Sequence, residues 1–433
     1  MMVRRVFFMV PVFILCWFVS GRSSVLHAQI SVVINSLADD ADAHPWDDPG
    51  TPDIDESRDG IIQDMAGRKT FRAAIEEAWN MNDGAGEAID ITLNMSGVLA
   101  LDGAQGANLS LPPGSHLHGN NLTTIEGGDY NVTVLDIGGN TTVDGINFRK
   151  GQILLGISGD GNVVSGNVFE DASINCMTIG GNSNIIGRGN IIFKGGIGAI
   201  LLAGNDNVVK GNTIGLNANG DSVGGTQFGI QVFGDNTLIG GTDPDDRNII
   251  SAHSVSGVAV AGITGQGLGT TIIGNYIGTD PTGTKKRSNA YGVQVLSGGA
   301  TIGGASEADR NVITGNKNGG IETRGEALAI NIIGNYIGVD PSGLPLRGAN
   351  GIELGNGDGI DLSPGSFDVL VEDNIISYNG VGIEVLGLLP DQPSWNHRIR
   401  GNIICQITIR HFESIRCAGK GSRNGRERTI AAG

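Results

Sequence analysis

The sequence predicts an all-β solenoid, a single strand of chain coiled into stacked rungs, and three observations predict it. First, the chain repeats itself. Gly-Asn-Tyr-Ile-Gly-x-Asp-Pro-x-Gly occurs at Gly274–Gly283 and Gly334–Gly343, with a weaker copy at Gly211–Gly220. A second block, Ile-Gly-Gly followed by Asp-Arg-Asn, interleaves with it at Ile239–Asn248 and Ile302–Asn311. Such repetition marks units that bury their apolar face only by stacking on a neighbour. Second, 72 of 433 residues are Gly and 5% are aromatic, while 39% are hydrophobic. That composition suits many short strands joined by turns that need positive φ, and it is too apolar for a disordered chain. Third, apolar strands of the form Gly-Ile/Val-x-x begin near Ile200, Ile230, Val258, Val293, Ile321, Ile352 and Ile383, at intervals of about 28 to 35 residues.

From the N-terminus, residues 1–28 read as an export signal: Arg4 and Arg5, an apolar run from Val6 to Val19, and Leu26-His27-Ala28 as the cleavage site. The apolar run is short for a membrane span, and no later segment reads as one. Residues 29–105 hold an acidic loop and a helix that lead into the first rungs. In Thr70–Trp79, Thr70 is positioned as N-cap and Phe71, Ile75, Ala78 and Trp79 share a face, so this helix is expected to cap the open end of the core. Residues 106–404 carry the repeats, with three short strands per unit, which describes one rung of a parallel β-helix. Residues 405–433 leave the repeat pattern as a basic tail, expected to be disordered or truncated.

Alternation in Ile273–Ile277 points Asn275 inward with the isoleucines. Asn212, Asn316 and Asn335 follow Gly in the same way, which predicts an internal asparagine ladder. The Asp-Pro-x-Gly loops fall on alternate rungs, ~10 Å apart, too far for Asp280 and Asp340 to share one ion. Of the cysteines, Cys16 leaves with the signal and Cys176 reads as a small core residue. Cys405 and Cys417 could pair in an oxidising compartment.

Thr-Phe-Arg-Ala-Ala-Ile-Glu-Glu-Ala at Thr70–Ala78 resembles the helix motif of secreted bacterial CSLREA-type proteins, although Lys69-Thr70-Phe71 replaces the leading Cys-Ser-Leu. The Asn-x-Ile-Gly and Ile-Gly-Gly…Arg-Asn blocks are similar to the rungs of such proteins and of the wider pectin-lyase-like superfamily. The resemblance runs from about residue 30 to 404. It implies a right-handed coil, in line with the general crossover preference, and export. It leaves activity open, because that superfamily includes polysaccharide lyases, polygalacturonases, esterases and adhesins.

Candidate chemistry is sparse. Asp55, Ser57 and Asp59, with Gly60 as the sharp turn, make the first half of a calcium loop. Ala66 stands where the closing Glu belongs, so calcium is the one cofactor to consider, against a plain solvated loop. Asp243–Asn248 offers adjacent carboxylates, but Asp246-Arg247-Asn248 is repeated at Asp309-Arg310-Asn311, which favours turn pinning over catalysis. Tyr276 and Tyr336 point outward two rungs apart, a spacing at which sugar rings could stack, against a reading as exposed strand tyrosines. His116 and His118 share a strand face but are two ligands only. Asn-Thr-Asp, Gly-His-Gly and Arg-x-Pro-x-x-Arg are absent from the sequence. A net charge of -17 argues against a nucleic-acid partner. The expectation is therefore an exported, periplasmic or cell-surface monomer that contacts a polysaccharide or surface partner without catalysis. A polysaccharide lyase or glycoside hydrolase is the alternative.

Overall fold

The computed structural model describes residues 30–34, 36–37, 70–80, 88–101, 109–128, 133–260, 266–348, 351, 355–386, 396–404, 415–418 and 428–430. The chain is a parallel β-helix whose rungs present three faces. The first face is one sheet of parallel strands that starts at Ile30–Ile34, Ile89–Leu93, His116–Gly119 and Thr142–Asp144 and continues to Arg398–Arg400. The second face is built from two-residue strands such as Thr213–Ile214, Tyr276–Ile277 and Tyr336–Ile337. The third face carries longer strands, among them Phe228–Val232, Tyr291–Gly298, Gly319–Ala327, Asp358–Leu362 and Val381–Val385. In the early rungs, Asn147–Ile157 and Val168–Ile179 run without a break from the second face into the third.

The repeat period becomes a register. Ile239, Ile272, Ile302, Ile332 and Val371 lie directly above one another on the first face and are fully buried. Removing one such side chain from water contributes about 1.5–3 kcal/mol. Phe148 and Phe169 stack inside the second face with ring centroids 5.0 Å apart. The helix Phe71–Asn80 packs Phe71, Ala74, Ile75 and Ala78 on this core at the first rungs. Thr70 is its N-cap, because its Oγ1 accepts from the Ala73 N–H at 3.1 Å. Trp79 donates from Nε1 to the Ser110 carbonyl. The strand Ile30–Ile34, which the sequence did not mark, pairs in parallel with Ile89–Leu93 and begins the first face.

One rung differs from expectation. Gly351-Ile352-Glu353-Leu354 and Gly359-Ile360-Asp361-Leu362 carry the same pattern, and the expected strand at Ile352 belongs instead to the second copy. Ile360 pairs with Ile321 and Ile383, while residues 352–354 lie outside the described residues. In the basic tail, Ile415–Ala418 and Arg428–Ile430 add two strands to the edge of the first face. The signal segment, the acidic loop and Cys405 lie outside the described residues.

The asparagine ladder is three ladders, one for each corner of the coil. Between the first and second faces run Asn167, Asn190, Asn212, Asn248, Asn275, Asn311, Asn335, Asn374 and Asn402. The Oδ1 of Asn275 accepts from both the N–H and the Nδ2 of Asn248, and its own Nδ2 donates to the carbonyls of Ile239 and Ile273. Asn316 is on a different corner, between the second and third faces, in the run Asn289, Asn316, Asn356, Asn379. Asn162, Asn184 and Asn207 hold the remaining corner in the early rungs. Between the first and second faces these buried amides are tolerated because each donates to the Oδ1 of the next and accepts from the one before, whereas Asn184 Nδ2 in the early-rung corner has no hydrogen-bond partner among the described residues.

The two repeated blocks interlock. Arg247 of one block lies 4.2 Å over the Tyr276 ring of the other and donates from Nε to the Gly274 carbonyl at 3.1 Å. Arg310 does the same to Tyr336 and Gly334, at 4.1 and 3.1 Å. Gly240 has φ 92° and closes on the next rung: a Cβ there would sit 1.9 Å from the Ile273 carbonyl oxygen.

Candidate functional site

From Phe228–Val232 to Val381–Val385, the strands of the third face read Gly-Ile/Val-x-Val/Leu/Thr. The branched residues turn inward and position x turns outward, by the two-residue period of a strand. On successive rungs, x is Gln231, Ala259, Gln294, Glu322, Asp361 and Glu384. Parallel in-register pairing therefore sets three carboxylates in a row, each rung ~4.8 Å from the next.

Their environments differ. Glu322 is sealed, with its side chain 2% exposed. Its Oε1 accepts from Arg324 Nε at 2.7 Å and its Oε2 from Gln294 Nε2 at 2.5 Å. Asp361 is half-buried, and Ser363 donates to its Oδ1 at 3.1 Å. Burial, reinforced by the charges of Glu322, Glu384 and Asp358, pushes its carboxyl up to about 6 despite the Ser363 bond. Tyr291, on the strand of Gln294, is raised by burial and by Glu322. Toward the N-terminal end of the same face, Asn175 Oδ1 and Gln231 Oε1 are buried acceptors with no hydrogen-bond partner among the described residues. Both lie over Gly198, where a Cβ would come within 2.8 and 3.1 Å of them. The face thus offers a carboxyl of raised pKa in a row between two other carboxyls.

The residues singled out from sequence lie elsewhere. Tyr276 and Tyr336 are on the second face, partly exposed, two rungs apart through Val312, each with one ring face under its arginine. Asp243–Asp246 forms a short 3-10 turn, Pro244–Asp246, capped by Asp243. Its three carboxylates surround Arg188, at 3.3 Å from Asp243, 3.6 Å from Asp245 and 2.9 Å from Asp246. These contacts reach across rungs and add to the expected local turn bonds, in which Asp243 accepts from the Asp245 N–H and the Arg247 N–H donates to the Pro244 carbonyl. In the other copy Asp309 closes a capping box with Ser306. Asp280 is occupied within its own loop, accepting from Thr282, Thr284 and Lys285. Asp55, Ser57 and Asp59 lie outside the described residues. His253 is buried, pairs through Nδ1 with Thr226 Oγ1 at 2.6 Å, and is pushed down to about 4 by burial.

Sequence reasoning missed Glu322, Asp361 and Glu384, yet the signal was present. Once Gly320-Ile321-Glu322, Gly359-Ile360-Asp361 and Gly382-Ile383-Glu384 are placed on consecutive rungs, the third position is acidic three times running. Placing the rung at Ile352 removed Asp361 from the row.

No protein-family model matches the sequence, and a search of curated proteins found no match. Solved structures do match in shape. The A-module of mannuronan C-5 epimerase AlgE6 from Azotobacter vinelandii superposes with a TM-score of 0.55 at 11% identity, covering 81% of this chain and 93% of that one. The fold is that of the parallel β-helix. The AlgE4 A-module of the same organism follows at TM-score 0.48 and 14% identity, covering 82% and 95%. PfbA, a surface adhesin of Streptococcus pneumoniae, follows at 0.42 and 12%, covering 87% and 96%. Among the described residues no helix is long and apolar enough to cross a membrane.

Proposed function

We propose that this is an exported carbohydrate-active protein that binds a neutral glycan chain along the third face and cleaves it by acid/base chemistry. The observation that carries the proposal is Asp361: an outward carboxyl raised to about 6, in register between Glu322 and Glu384. A carboxyl raised to about 6 keeps its proton in a substantial fraction of molecules in mildly acidic solution, where it serves as general acid toward a glycosidic oxygen. Glu384, one rung away, is the partner carboxylate. The ~4.8 Å rung spacing is close to the ~5–5.5 Å separation of a nucleophile and acid pair that acts with retention. Glu322, tied on both oxygens, raises Asp361 by its charge and does not touch substrate. An acidic column repels a polyuronate, so the charge favours a neutral glycan and hydrolysis over elimination. Membership of the secreted CSLREA-type group and a location outside the cytoplasm are part of the same reading, supported by the signal-like start and the helix motif at Thr70–Ala78.

A second reading, binding without turnover, is favoured by the sealing of Glu322, which takes one of the three carboxylates out of reach of substrate. Incubation with a panel of neutral and acidic polysaccharides separates the two. Release of reducing ends from a neutral glycan, lowered by about 10²-fold or more in Asp361→Asn, supports hydrolysis. Retention of a glycan with no product across the panel supports binding alone.

A further inference from the structure

We propose a divalent transition-metal site of the zinc class on the outward side of the first face, held by Asp90, His116 and His118. The strands Ile89–Leu93, His116–Gly119 and Thr142–Asp144 are adjacent and parallel, with Asp90 beside His116 and His118 beside Asp144. The i, i+2 spacing of the histidines sends both rings to the same side of the sheet. One ligand atom from each of Asp90, His116 and His118 lies within 4.8 Å of the other two, a set that closes on one ion with small side-chain rotations. The imidazole rings are 5.8 Å apart and tilted by 48°, so they converge instead of stacking. All three residues are half-buried, which leaves an entry path from solvent.

Asp144 supplies the second observation. Its Oδ2 lies 2.6 Å from His118 Nδ1. A carboxylate there accepts the Nδ1 proton, fixes the tautomer and turns the Nε2 lone pair outward, the arrangement that supports a metal-ligating histidine. Asp144 is thus a positioning residue. Two imidazoles and one carboxylate suit zinc and its neighbours in the first transition row. Magnesium and calcium, which prefer oxygen ligands throughout, are disfavoured. Three protein ligands leave a fourth position for water. The column of Asp90 and His116 passes through Thr142 and then turns apolar, to Val163, Ile185 and Val208, and the column of His118 and Asp144 continues to Ser165, so the ligand-bearing positions are confined to these strands. The site is remote in sequence from the third-face carboxylates, and its test is independent of theirs.

The full chain, stripped with EDTA and dialysed, is titrated with Zn²⁺ by calorimetry and with Co²⁺ by visible absorption. One equivalent is expected to bind with the d–d bands of a four- or five-coordinate N/O site. His116→Ala and His118→Ala are expected to abolish that equivalent. Asp144→Asn is expected to keep the stoichiometry and weaken affinity by about 10–100-fold. Asp90→Asn, which keeps size and shape, guards against a folding artefact, and circular dichroism checks each variant. Absence of a stoichiometric site at micromolar Zn²⁺, or a site that persists in folded His116→Ala and His118→Ala, would overturn the assignment.

Discussion

The corner ladders and the outward column of the third face run parallel through the same rungs, yet they are written in opposite ways. The corner between the first and second faces uses one residue type in nine successive positions, Asn167 to Asn402, each satisfied by the next. The outward column changes from Gln231 to Ala259, Gln294, Glu322, Asp361 and Glu384 along the chain. The residues that define the repeat are those the coil needs, and chemistry is left to the positions where the repeat is free to vary. The same division explains the conspicuous blocks: their Asn is in a corner, their Ile is in the core, and their Arg and Tyr clasp one another.

The comparison can be broken by substitution, and the largest effect on stability is expected in the middle of the ladder. Asn275→Ala strips the acceptor from the N–H and Nδ2 of Asn248 and the donor from two carbonyls. A loss of about 3 kcal/mol in denaturant unfolding is expected. Asn402→Ala, at the last described asparagine of this ladder, is expected to cost about 1 kcal/mol, because at the ladder's end water takes over part of what it removes. Equal costs would contradict a cooperative ladder. Next in size, Arg247→Ala and Arg310→Ala each remove a cation–π contact and one hydrogen bond, for about 1–2 kcal/mol. Because the clasp is repeated, the two variants are expected to agree closely.

The pH dependence divides along the same line and is smaller. His253 and His397 are both pushed down to about 4 by burial. Each folds neutral, so its contribution is present above 6.5 and is lost as pH falls from 6.5 through about 4. Asp361 runs the other way: its contribution is present below 3.8 and is lost as pH rises through about 6. Asp361→Asn is therefore expected to match the parent in melting temperature near pH 4 and to exceed it at pH 7. The gain is about 1 kcal/mol after allowance for solvent screening. His253→Asn is expected to flatten the acid side of the stability profile.

Much of the fold was legible because a solenoid writes its core as a period. The Ile/Val register, the inward Asn275 and the capping helix at Thr70 follow from alternation and helix-capping rules applied to adjacent residues. The strand Ile30–Ile34 was not legible, since its pairing with Ile89–Leu93 spans 59 residues that carry no repeat. The three-corner division of the ladders was also hidden, because Asn275 and Asn316 have the same local context. Of the candidate sites, the third-face carboxylates required the correct rung to be assigned to Asp361 and not to Glu353. The Asp90, His116 and His118 cluster required knowing that residues 26 apart sit on neighbouring strands.

The direct test of the central claim is to measure glycan cleavage per folded molecule and melting temperature together for Asp361→Asn and Asn275→Ala. The account predicts opposite outcomes. Asp361→Asn keeps or raises its melting temperature and loses about 10²-fold or more in turnover, whereas Asn275→Ala melts early and turns over normally while folded. An Asp361→Asn protein that cleaves at the parent rate would contradict it.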